Sequence, residues 1–220
     1  MSSPADSRTQ PHIIQILTTE HYNLQTSRSS TIAEASGRSN LFLSTVSSAL
    51  VALAFVGQIS RLGTAFFVFA LVLFPSLFFL GLVTFERVVQ VSIEDVLYAR
   101  GINRIRHFYV EVAPEIEKYF VLGHYDDEAS VYGKMNTTAT WVQMFLTTPG
   151  MIAFLDSVIA AVFFGLLVDR LFQGQVMWVD LSVGFAAFLL VMAALLRYQW
   201  TTWARTQRGN PVLFPSPKQP

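Results

Sequence analysis

An all-α, polytopic membrane protein is the fold class this sequence predicts, with four transmembrane helices, cytoplasmic helical extensions and both termini inside. Three observations carry that expectation. The 220-residue chain is 52% hydrophobic and 14% charged, with 19 phenylalanines, a balance far too apolar for an ordinary soluble domain. Four apolar stretches, near 41–59, 62–85, 150–171 and 178–199, each reach the roughly 20 residues needed to cross a hydrocarbon core of about 30 Å. A buried core helix is the alternative for any one of them, but a chain of this length has no room for four such helices and their cover. Finally, thirteen of the fifteen basic residues fall before the first stretch, in 86–147 or in the tail, and only Arg61 and Arg170 occupy the two short connections. The positive-inside rule then places the termini and 86–147 in the cytoplasm.

The elements follow in order. Residues 1–18 read as a disordered N-terminus, Ser/Pro-rich at its start, with no apolar run long enough for a secretory signal. Thr18 or Thr19 offers a cap, and no proline intervenes until Pro75, so one helix is expected over 19–59. Pro75 should kink the second span, whose phenylalanines are expected to face lipid. Beyond Glu86, apolar residues recur at helical spacing through Val112, predicting an amphipathic continuation of that span; Ser92 with Asp95 resembles a capping box, so a break at 91–92 competes with it. Pro114 starts a short helix, "GHYDDEASVYGKM" reads as loop, and Thr147, Thr148 and Pro149 cap the third span. Trp178 opens the fourth span and Tyr198, Trp200 and Trp203 close it, as interfacial rings do. The four-span domain thus covers 19–200, followed by a disordered Pro-rich tail over 201–220.

In a bilayer, apolar burial drives helix association only weakly, and close packing of small residues takes its place. The third span carries such a ladder in Ala153, Ser157, Ala161 and Gly165; the first has Ser44, Ser48 and Ala52, and Ser29, Ala33 and Gly37 keep the spacing upstream. The contacts could join spans of one chain or neighbouring subunits. Asn40, Ser44, Ser47, Val51, Phe55 and Gln58 share another helical face of the first span. Polar groups at the cytoplasmic end, an apolar pair at mid-depth and an amide at the outer end are the order expected of a water-filled pathway with a hydrophobic constriction. The competing reading is that the hydroxyls bond back to carbonyls one turn earlier and the face simply packs.

Asp156 lies roughly 10 Å past the cap of the third span and is the one ionisable residue well inside a span. It suggests a salt bridge, with Arg87 or Arg38 as partner, or else a cation site or protonatable switch. His107 with Glu111, and His124, Asp126, Asp127 and Glu128, supply ligand chemistry without convergence, so no metal or other cofactor is expected. The absence of cysteine removes disulfides and thiolate chemistry. No phosphate-binding loop or Ser/His/Asp order appears, which argues against an enzyme. Zero net charge argues against a nucleic-acid partner.

The stretches "HYNLQTSRSSTIAEASGRSNLFLSTVSSALVALAFVGQ" and "RGINRIRHFYVEVAPE" resemble segments of uncharacterised small bacterial membrane proteins with a four-span layout. The resemblance implies a bacterial inner membrane location and carries no activity. The resulting expectation is a homo-oligomeric channel for ions, since four spans are too few to enclose a wide pore alone; its first span lines the conduit and its cytoplasmic helices, 86–122 with the stem of 19–40, form a vestibule or gate. Its partners would be the lipid bilayer, further copies of itself and a cytoplasmic protein. A non-conducting scaffold, or a small proton-coupled transporter using Asp156, is the alternative.

Overall fold

The computed structural model describes residues 4–131, 145–172 and 176–217, of which 4–10 are described by their backbone alone. The expected loop beyond residue 131, with Lys134, and Lys218 in the tail lie outside these residues. Every regular element among them is helical: α1 Pro4–Ser60, α2 Thr64–Val112, a 3-10 turn Pro114–Tyr119, α3 Glu128–Val131, α4 Thr148–Leu171 and α5 Met177–Gly209. Four helices, α1, α2, α4 and α5, are long and apolar enough to cross a membrane.

α1 departs from expectation at its start. It is helical from Pro4, where an irregular segment was expected up to residue 18, and Thr18 and Thr19 do not cap it: their hydroxyls donate back to the carbonyls of Ile14 and Gln15. Its end is sharp. Arg61 and Leu62 take left-handed φ values of 48° and 57°, and the Leu62 amide returns to Gly57 O at 2.9 Å, satisfying a carbonyl the helix leaves open. Gly63 finishes the turn, where a Cβ would lie 2.8 Å from Ser60 O.

α2 runs unbroken through 91–92, and Asp95 accepts from Arg28 at 2.6 Å. Pro75 sits inside α2 without ending it. The phenylalanines of this helix divide: Phe79 faces outward, whereas Phe74 and Phe85 are core residues, which corrects the expectation that they face lipid. α4 starts as expected, with the Thr147 hydroxyl accepting from the Gly150 amide at 3.3 Å. α5 continues past residue 200 to Gly209.

The chain forms two compact units. One comprises Met1–Glu34, Val91–Thr138 and Thr206–Pro220, and the other Ala35–Gln90 and Ala139–Arg205. The second unit contains the apolar lengths of all four long helices. Its interior is built from Phe42, Val46, Ala49 and Leu53 of α1, Phe74, Leu77, Phe85 and Val88 of α2, Ile152, Ala153, Ile159 and Ala160 of α4, and Gly184, Met192 and Leu195 of α5.

Small residues set the closest approaches. A Cβ at Gly184 would lie 2.9 Å from Ala161 O, and one at Gly165 would lie 3.4 Å from Asp180 O, so α4 and α5 meet backbone to backbone there. The Phe154 and Phe188 rings meet edge to face further along the same antiparallel seam. Replacing Gly184 by Ala should therefore lower the thermal stability of the detergent-solubilised chain, by about 1–3 kcal/mol on overpacking grounds. Gly37→Ala, at a position with nothing within 4 Å, should leave stability unchanged or raise it by up to about 1 kcal/mol. Thermal unfolding of the two variants side by side checks both expectations.

Candidate functional site

Among the described residues, three arrangements carry the polar chemistry. The first is the polar face of α1. Asn40, Ser44, Ser47, Val51, Phe55 and Gln58 all point outward, with Val51 and Phe55 56% and 60% exposed, while the opposite face carries the core residues Phe42, Val46, Ala49 and Leu53. The packed reading of this face is thus not realised within one chain. Hydroxyls beside it do bond back: Thr45 to Leu41 O and Ser48 to Ser44 O, each at 2.8 Å. Gln58 also borders an apolar groove of about 360 Å³ with Leu50, Leu53, Gly57, Leu62 and Phe66.

The two kinds of small-residue ladder separate in the same way. Ala153 and Ser157 are fully buried in α4, and Ala161 and Gly165 meet α5, so this ladder serves contacts inside one chain. Ser44, Ser48 and Ala52, with Ser29, Ala33 and Gly37, are exposed.

The second arrangement is the carboxyl of Asp156, which is 0% exposed and has, among the described residues, no hydrogen-bond partner on either oxygen. Neither Arg87 nor Arg38 pairs with it, contrary to the expected salt bridge; Arg87 donates to Gln90 at 3.3 Å, and Arg38 is on the exposed side of α1. What receives Asp156 is Gly81 of α2, where a Cβ would lie 1.7 Å from Oδ1. The glycine's missing side chain is the space the carboxyl occupies. An ionised aspartate at such depth costs about 2.5–3.5 kcal/mol on insertion scales, so its unpaired burial is expensive. Gly81 was not singled out in the sequence, because one glycine among apolar residues announces no partner until the helices are placed.

The third arrangement lies in the other unit and overturns the expectation of a disordered tail. Arg100, Asn103, Arg104 and His107 occupy successive positions on one face of α2. Arg100 donates to Asn210 O at 2.9 Å and to the Gln207 amide oxygen; Arg104 donates to Pro211 O at 2.9 Å and to Asp126 at 2.7 Å. Asp126, fully buried, accepts from the amides of Leu213 and Phe214 at 2.8–3.1 Å, and Asp127 accepts from the amide and hydroxyl of Ser216. Asp127 also caps α3 by accepting from the Ser130 amide at 3.0 Å. The Phe214 ring stacks on His107 at 4.2 Å.

Residues 210–216 are therefore a strap, held mainly through its backbone. Of the "HYDDE" acids, Asp126 and Asp127 are used in holding it, and the described residues contain no cluster of three or more metal-ligating side chains. His107 does lie 3.5 Å from Glu111, as their spacing suggested. The N-terminal stem of α1 belongs to this unit too, through the Arg28 to Asp95 fork and Leu24, which packs against Gly101.

Burial pushes the Asp126 carboxyl up, but the amides of Leu213 and Phe214 and the Arg104 guanidinium outweigh it and hold the group below its ordinary range. Asp127 is likewise lowered, burial being outweighed by the bonds from Ser216 and Ser130. Compared with known proteins, the chain matches no family model, no curated protein and no solved structure.

Because both carboxyls titrate below their free values, the strap's contribution is complete above about pH 4 and disappears as pH falls through the depressed values. Asp126→Ala should reduce hydrogen-exchange protection of the Leu213 and Phe214 amides by roughly 10- to 100-fold at neutral pH, since bonds to a charged acceptor contribute about 1.5–3 kcal/mol each. Unchanged protection in that variant would mean that the strap is held by something other than Asp126.

Proposed function

We propose that copies of this chain associate in a bacterial inner membrane, with both termini cytoplasmic, into a homo-oligomeric channel whose conduit is lined by α1. The observation that supports this reading is the outward position of the whole Asn40 to Gln58 face. Two amides, at Asn40 and Gln58, and two serines would otherwise meet hydrocarbon, where unsatisfied polar groups are costly. Facing a shared axis, the same groups meet water, and Val51 with Phe55 forms an apolar ring able to close the path by excluding it.

The conduit belongs between copies because the interior of one copy is filled. Phe42, Phe85, Ile152 and Val88 are fully buried there, and Asp156 is sealed. The distribution of basic residues supports the proposed orientation. Residues 91–131 and the N-terminal stem would then form the cytoplasmic part, serving as vestibule or gate.

Native mass spectrometry and particle imaging should show a closed ring with the 40–58 face toward its axis. In reconstituted bilayers, Val51→Ser or Phe55→Ser should raise conductance severalfold by wetting the constriction. A monomer, or a ring in which this face makes a dry contact with no ion flux, would exclude the channel and favour the non-conducting scaffold.

A further inference from the structure

We propose that Asp156 is a proton-binding site, occupied as the neutral acid in this packing, and that releasing the proton requires α2 and α4 to part at Gly81. This goes beyond the channel reading and holds whether or not copies enclose a conduit. Three observations converge on it. The carboxyl is fully enclosed, neither oxygen receives a hydrogen bond from the described residues, and it fits only because residue 81 has no side chain.

Among the described residues no other charged group faces it. The sequence contains no ionisable residue between Arg38 and Arg61 on α1, between Arg61 and Glu86 on α2, or between Asp180 and Arg197 on α5; on α4, Asp156 stands alone before Asp169. The inward face of α2 around Gly81 is Leu77, Thr84 and Phe85, and the Thr84 hydroxyl is engaged with Leu80 O at 2.8 Å. Glu86 and Arg87 begin about 7.5 Å further along that helix and both bond Gln90. With no counter-charge and no donor, a carboxylate here would be uncompensated, whereas a carboxylic acid is merely polar.

The fit also supplies the coupling. Since the carboxyl fills the space a Cβ at residue 81 would take, an ionised group can gain water only if the helix backbones separate at that point. The Arg170 guanidinium over the Phe67 ring, 5.4 Å from its centroid and fourteen residues along each helix, is a second contact on the same antiparallel seam. Separation at Gly81 is thus a change in helix packing, driven by loss of one proton.

The test uses the full chain reconstituted in liposomes and follows the carbonyl stretch of a protonated carboxylic acid by infrared difference spectroscopy as pH is stepped, a readout that needs no reagent to enter the enclosed site. The native chain should show a band that Asp156→Asn, a neutral isostere, removes, and that band should fall about tenfold per pH unit above its midpoint. Sodium or potassium should leave the midpoint unchanged. Thermal stability of Asp156→Asn should stay level where that of the native chain falls as pH rises through the midpoint. Gly81→Ala, which contests the carboxyl's space, should move the midpoint down.

Absence, at every pH, of a protonated-acid band that depends on Asp156 overturns the proposal. A midpoint that falls as sodium or potassium is raised overturns it in favour of a metal-cation site. If Asp156→Asn does not fold, carbon-13 labelling of the aspartates, which shifts the band of an aspartic acid in the native chain, takes its place.

Discussion

Helices in hydrocarbon must hold together with little help from water, and this constraint governs the membrane-type unit of the chain. The solution is contact between bare backbones. Gly184 admits Ala161, Gly165 admits the backbone of Asp180, and Gly81 admits the side chain of Asp156. At Gly184 and Gly81 a single methyl group would displace a neighbour, and at Gly165 it would just touch one. The large residues, Phe42, Phe74 and Phe85 among them, fill the volume these approaches define.

The same unit uses its polar residues in two opposite ways. Most hydroxyls are neutralised locally by carbonyls of the preceding turn, as at Ser39, Thr45, Ser48, Ser76, Thr84 and Ser157, so their presence in a span says little about water. The groups that lack this local answer are the informative ones. The Asn40 and Gln58 amides point away from the chain's own core, and Asp156 points into it. The outward pair supports association with further copies, and the inward acid supports a proton held in a dry place.

The strap unit depends on a different economy. Asp126 and Asp127 accept main-chain amides, Arg100 and Arg104 donate to main-chain carbonyls, and Phe214 adds a ring on His107. Such recognition asks little of the strap's side chains, which is why "GNPVLFPSP" shows no periodicity and reads as disorder. Its partners were visible only as scattered charges. Arg100, Asn103, Arg104 and His107 do share a helical face, a signal present in the sequence but masked by the stronger apolar face beside it.

Much of the architecture was determined by sequence alone, because periodicity, length and capping are local properties. The four apolar lengths, the Thr147 cap, the continuity of α2 beyond Glu86 and the face shared by Asn40 through Gln58 all follow from spacing along one helix. Only the tertiary structure decided which face of α1 turns outward, that Asp156 rests on Gly81 and on no arginine, and that the tail is bound. These are matters of rotation and proximity between segments distant in sequence. A helical repeat names the residues that share a face without saying what that face meets.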